Sequence, residues 1–255
     1  METRSSSLIK IHSAQRHLVW KLLQPIYGHI RVAEFPKSGG TWLCQMISAA
    51  TAIEFPRNTR LPLAARCVQH SHIPGPTRYQ TILVVRDVRD VLTSAYFHFL
   101  IESKEKDPFL LSHWSEIMKG WDIDDVVNTM PGFIKKFHEN FQVSRGHTNW
   151  SQHIDSYLRL ADNVHVVKYE EMLDQPHAVL SDCLSWYNIE AKFELTQVVK
   201  DYSFENQTNR QKGEENRTAF LRKGIAGDWK NYFNKASVDL VHKYYGSTMK
   251  RLGYA

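Results

Sequence analysis

The stretch IRVAEFPKSGGTWLCQMISAATA, residues 30–52, decides the fold. Ile30 to Phe35 is short, rich in apolar residues and stopped by Pro36, which predicts a strand. Residues 41–52 carry helix-forming residues and predict a helix. Between them Pro36-Lys37-Ser38-Gly39-Gly40 forms a small-residue turn. A strand, a glycine turn and a helix in that order place a helix N-terminus, with its free N–H groups, at the carboxyl end of a strand. Glycines let an anion come close to the backbone, Ser38 and Thr41 add hydroxyl donors, and Lys37 adds a point charge. A plain strand-to-helix turn explains the glycines but not the gathering of Lys, Ser and Thr. The Walker pattern is absent, because the lysine precedes the glycines and no GKS or GKT follows.

Outward from this stretch the same grammar recurs. Thr81 to Val85 (TILVV) predicts a second strand, followed by Arg86-Asp87 and a helix over about 89–101. Val164 to Val167 predicts a third strand, with helices over 176–188 and 191–201 behind it, and a final helix runs over about 237–251. Strands separated by helix-length segments imply an α/β fold, a single domain with a central parallel sheet flanked by helices. Residues 8–24 place Leu8, Ile11, Leu18 and Leu22 at helical spacing before Pro25, an N-terminal helical segment within residues 1–29. Residues 203–228 are polar and rich in Asn and Gly, a long loop of the kind that is usually functional. No internal repeat or linker divides the 255 residues, so one domain over 1–255 is expected.

Composition narrows the partners. Hydrophobic residues are 42% and charged residues 23%, which excludes a disordered chain. A net charge of +5 suits an anionic partner. The basic residues come in pairs such as Lys135-Lys136, so no nucleic-acid or membrane patch is expected. The N-terminal apolar stretch is broken by Lys10, His12, Arg16 and Lys21, so neither a signal peptide nor a stable membrane insertion is expected. Cys44, Cys67 and Cys183 are odd in number and widely spaced, which argues for a reducing compartment and a cytoplasmic location.

Three constellations carry chemistry: residues 35–42; Arg86-Asp87-Val88-Arg89-Asp90-Val91-Leu92-Thr93-Ser94, where Arg86 and Ser94 suit a second anion; and Arg222-Lys223-Gly224-Ile225-Ala226-Gly227-Asp228-Trp229-Lys230-Asn231, with two cations ahead of glycines. Asp87 and Asp90 are expected to favour the helix N-terminus through its dipole. Together the three resemble the PAPS-dependent sulfotransferases of the cytosolic type and their bacterial relatives. That family's phosphosulfate loop reads PKSGTTW against Pro36 to Trp42 here, its RNxxDxxxS pattern meets Arg86, Asp90 and Ser94, and its RKGxxGDWKNxF signature is matched from Arg222 to Phe233.

The resemblance implies a P-loop-like phosphosulfate site made by Lys37, Ser38, Gly39, Gly40 and Thr41. It implies a 3′-phosphate site made by Arg86, Ser94, Arg222, Lys223 and Gly224, with Trp42, Tyr169 and Phe204 near the adenine and residues 203–228 covering the cofactor. The family's KTHLP-like segment aligns with His70-Ser71-His72-Ile73-Pro74. His72 then takes the place of the general base and His70 that of a lysine; Lys37 would stabilise the leaving phosphate oxygen, and Ser94 joins the catalytic set. PAPS would be the sulfuryl donor, a small molecule or glycan carrying a hydroxyl or amine the acceptor, and no metal is implied. On the residues alone His70 and His72 read as polar residues at a strand end, and a metal reading of His-x-His lacks a visible third ligand.

Gly40 departs from the family's threonine and Tyr202 from another beside the adenine. The dimer signature KxxxTVxxxE, which would begin at Lys230, meets Asn234, Lys235 and Asp239, so no such dimer is assumed. Two other classes remain: a metal-dependent kinase of P-loop type, which needs GK[ST], and a non-catalytic nucleotide or anion binder. Asp122-Ile123-Asp124 reads more simply as acids at a helix start than as a glycosyltransferase motif. The aromatics Phe109, Trp114, Trp121, Phe133, Phe137, Phe141 and Trp150 line either the core or an acceptor pocket, and Trp114 or Trp121 is expected to face the cleft.

Overall fold

The computed structural model of the chain describes residues 24–56, 66–75, 78–102, 114, 116–141, 148–159 and 161–255. The helix expected over 8–24 lies outside them except for its last residue. Among the described residues one sheet is formed by β1 (Ile30–Glu34), β2 (Val68–Ser71), β3 (Thr81–Val85) and β4 (Val164–Lys168). All neighbours are parallel and the order is β2-β1-β3-β4. The chain steps from β1 to β2 on one side and then crosses back to β3 on the other. A crevice opens at such a switch point, outside the carboxyl ends of β1 and β3.

Helices cover both faces. Helix α1 (Gly40–Thr51) follows β1. Helix α2 (Val88–Tyr96) follows β3, and then come α3 (Val126–Asn140) and α4 (Trp150–Leu158). After β4 come α5 (Tyr169–Asp174), α6 (Pro176–Trp186), α7 (Leu195–Asp201), α8 (Phe204–Thr208) and α9 (Lys235–Leu252). On one face Ala33, Leu83 and Val85 pack with α2, α3, α4 and α9; on the other Val32, Ile82 and Val84 pack with α1, α6 and α7. Burial on both faces explains why every residue of TILVV is apolar or buried, with no alternation.

Some elements differ from expectation for visible reasons. The helix expected over 89–101 changes at Phe97 to a π-helical turn, Phe97–Glu102, a widening that recurs at functional sites. The helix expected from 191 begins at Leu195, because the Lys192 and Phe193 N–H groups go to the Ala50 carbonyl at the end of α1. Asp87 caps α2 by accepting the Arg89 N–H, whereas Asp90 turns away from the helix end to accept the N–H groups of Gly227 and Trp229. Residues 203–228 are not loop throughout. Phe204–Thr208 is helical, and Arg210 ties the segment together through the carbonyls of Glu214 and Arg222.

Candidate active site

Each strand of the sheet delivers side chains at its carboxyl end. After β1 the backbone reverses through Lys37, at φ 74°, and Gly39, at φ 100°. A Cβ on Gly39 would stand 2.5 Å from the Tyr169 ring, so glycine there admits the aromatic as well as the left-handed turn. Gly40 at the start of α1 gives its N–H to Glu34 Oε2 at 2.6 Å. After β3, Arg86 donates to the Lys37 carbonyl at 3.1 Å and lies over the Tyr169 ring, 4.2 Å from its centroid. After β4 comes Tyr169 itself, edge-on to Trp42.

These residues meet in a cavity of about 640 Å³. Its walls include Lys37, Gly39, Thr41, Trp42, Arg86 and Ser94, then Tyr169, Phe204, Arg222, Lys223 and Gly224, with His70 and His72 at one side. Of the expected site residues only Ser38 and Gly40 do not line it; both are buried in the turn beneath. Ser38 Oγ and Arg86 Nε are buried polar atoms with no hydrogen-bond partner among the described residues, as suits a cradle for a highly anionic group. Phe204 packs on Gly224, where a Cβ would come within 2.4 Å of the ring.

The electrostatics are organised by carboxylates to which the sequence alone assigned no role. Asp228, only 1% exposed, takes Lys223 Nζ at 2.7 Å and the Arg222 guanidinium; Glu215 takes Arg222 as well. Burial pushes the Lys37 ammonium down to about 8, against the opposing charges of Glu102 and Glu34. It therefore stays largely protonated at neutral pH.

At the end of β2, His70 Nε2 donates to Glu34 Oε1 at 2.7 Å. His72 Nδ1 donates to the Glu34 carbonyl at 3.2 Å, which leaves Nε2 as its proton-accepting atom. Burial lowers the His72 pKa, opposed by the charge of Glu34. For Glu34 burial acts upward, but the His70 hydrogen bond and the charges of His70 and His72 prevail and bring its carboxyl to about 2. The third partner that the His-x-His spacing lacked is therefore present: Glu34, His70 and His72 offer ligand atoms within 4.8 Å of one another. Both Glu34 oxygens are already engaged, by His70 and by Gly40.

The expectation for Trp114 and Trp121 is overturned. Neither lines the cavity. Trp114 is buried and stacked parallel to Phe99, 5.2 Å away, one layer behind the wall, and Trp121 covers Gly132 of α3. Phe133, Phe137 and Trp150 belong to the core, Phe141 packs against it, and Phe109 lies outside the described residues. The wall instead takes His98 and Phe99 from the π-helical turn, and Phe220, whose ring stands 4.4 Å from Lys37 Nζ.

Known proteins share this framework. A mouse sulfotransferase, SULT7A1, solved in complex with PAP, superposes with a TM-score of 0.62 at 20% identity, covering 87% of this chain and 84% of that one. Retinol dehydratase in a complex with retinol and PAP gives 0.58 at 15%, covering 87% and 81%. Sulfotransferase 1E1 of Cavia porcellus is 22% identical over 86% of this chain and 82% of its own length. Sulfotransferase 2A2 of Rattus norvegicus is 25% identical over 86% and 83%. The family model of the sulfotransferase domain matches residues 76–253, well over half of the sequence. By that match the chain belongs to the sulfotransferase domain family.

Proposed function

We propose that this protein moves the sulfuryl group of PAPS to a hydroxyl or amine of a small-molecule or glycan acceptor, with His72 as general base. The observation that carries the reading is the convergence of three sequence-distant motifs and His72 on one cavity. When bound, PAPS supplies an activated sulfuryl group on a phosphate leaving oxygen.

Lys37, Ser38, Gly39, Gly40 and Thr41 hold the 5′ end through backbone N–H groups, hydroxyls and one ammonium. Arg86, Ser94, Arg222, Lys223 and Gly224 hold the 3′-phosphate, and Trp42, Tyr169 and Phe204 offer faces for the purine. His72 Nε2 removes the acceptor's proton while Lys37 meets the charge that grows on the departing oxygen. Residues 203–228, which bring Phe204, Phe220 and Arg222 to the wall, form the cover of the cofactor within a single domain. Three free, buried cysteines suit a reducing cytoplasm. Among the described residues no helix is long and apolar enough to cross a membrane.

The test is calorimetric binding of PAP, followed by ³⁵S-PAPS transfer over phenols, alcohols, amines and glycans. His72→Ala should lose about 10²–10⁴ in kcat while still binding PAP. Near-normal turnover in that variant, or no PAP binding by the wild type, rejects the reading. Because the base works neutral and burial lowers its pKa, the acid limb of kcat/KM should lie below pH 6.5.

A further inference from the structure

The Glu34 side chain lies at the junction of the anion loop and the histidine pair, and nothing in the three motifs accounts for it. One oxygen caps α1 at Gly40 and the other holds His70. The main-chain carbonyl of the same residue holds His72 Nδ1–H. His70 in turn stands edge-on to His72 with ring centroids 4.6 Å apart. Gly40 fits this arrangement, and any larger residue would displace the Glu34 side chain. A Cβ at position 40 would come within 2.8 Å of Glu34 Cδ, so the departure at Gly40 and the presence of Glu34 form one unit.

We propose that Glu34 is the positioning residue and counter-charge of the base: it locks the His70 and His72 rings and balances the imidazolium that forms on His72 during transfer. The inference rests on His72 being the base. When the acceptor's O–H or N–H bond breaks, the proton goes to His72 Nε2 and the positive charge appears on His72. The acceptor's electron pair forms the new bond to sulfur, and the S–O bond to the leaving phosphate breaks. A carboxylate 3% exposed beside that ring offsets the new charge far better than water-screened groups do. Among the described residues the charged and titratable groups facing His72 are Glu34 on β1, His70 on β2, Lys37 in the anion loop and His153 on α4. Of these, only Glu34 is negative. Burial, and after it the charges of His70 and Lys37, lower the His72 pKa while Glu34 opposes them, so loss of Glu34 leaves those effects less compensated.

Glu34→Gln keeps the shape and removes the charge. Imidazole NMR titration of the ligand-free protein reads the effect without requiring turnover. The His72 pKa should fall by about 0.5–1 unit relative to the wild type, on the order of a neighbouring-charge effect. In transfer assays kcat should drop roughly 10–100-fold while the KM for PAPS changes less than about 3-fold, and the acid limb should move to lower pH. Glu34→Asp, which keeps the charge, should restore the His72 titration; it serves alone if Glu34→Gln does not fold, with His72 then titrating as in the wild type and kcat lowered by the shorter reach. An unchanged His72 titration in Glu34→Gln, an unchanged kcat, or a Glu34→Asp protein with a shifted His72 pKa overturns the inference. So does transfer that requires a divalent cation and stops with a chelator, which would make Glu34, His70 and His72 metal ligands. A wild-type protein that neither binds PAP nor transfers sulfate rejects the functional reading instead, and the titration distinguishes the two failures.

Discussion

Gly39 shows what a single hydrogen atom in place of a side chain does for this site. Its φ of 100° already strains any other residue, and the Tyr169 ring occupies the space a Cβ would need. Gly213 is the natural control, since its φ is 95° but nothing lies within 4 Å of a Cβ there. Gly213→Ala should cost roughly 1–2 kcal/mol in urea denaturation, from the left-handed backbone alone. Gly39→Ala should cost more and should also weaken PAP binding in calorimetry by about tenfold or more, because Tyr169 must move away from Arg86. Equal losses in the two variants, with PAP affinity intact, would refute the packing account. At this scale Lys37, Arg86 and the Arg222-Lys223 pair were legible because their chemistry lies in adjacent residues. Glu34 was not, because its meaning depends on His70, brought alongside by parallel pairing of β1 with β2. Asp228 looked like part of a signature, and only the fold shows its carboxylate holding both Lys223 and Arg222.

Among the elements, α2 works as a strut. Its Asp90 carboxylate, 1% exposed, accepts N–H groups from Gly227 at 2.6 Å and Trp229 at 3.0 Å, so the segment bearing Arg222 and Lys223 is anchored to the helix bearing Ser94. Asp90→Ala would leave both donors unpaired. It should lower stability by roughly 1–3 kcal/mol and reduce PAP affinity, read by denaturation and calorimetry on the same protein. Retained affinity would show that the segment holds its place without the strut. Strands β1, β3 and β4 and helix α1 were legible because apolar runs bounded by Pro, Gly or charge leave few alternatives. β2, with the sequence VQHS, has too few apolar residues to announce itself and exists because β1 has an edge for it. The π-helical turn is equally silent in sequence, since Phe-His-Phe-Leu-Ile-Glu satisfies an ordinary helix. That silence hid His98 and Phe99 from the reading and directed attention to two tryptophans instead.

For the whole molecule, acid is the informative stress. His153 on α4 is fully buried, and burial, with the charge of His72, brings its pKa to about 4. The unfolded chain binds a proton there near pH 6.5 and the folded chain does not. Stability is therefore present above pH 6.5 and is lost as pH falls through the window from 6.5 to about 4, by an amount on the order of 3 kcal/mol. The depressed carboxyl of Glu34 adds a further loss below about 4.5, also on the acid side. His153→Phe should flatten the upper window in urea denaturation series; an unchanged slope between pH 6.5 and 4 would remove His153 from the account. The same balance of charge bears on how the proposed anion site assembles. Lys37, Arg86, Arg222 and Lys223 gather four like charges around one cavity, yet Arg222 and Lys223 already share Asp228, and Arg222 shares Glu215. Under the proposed function Asp228 and Glu215 are internal stand-ins for the ligand, and recognition of an anion there becomes an exchange of partners among groups held ready, in the manner of a key displacing a blank already cut to the lock.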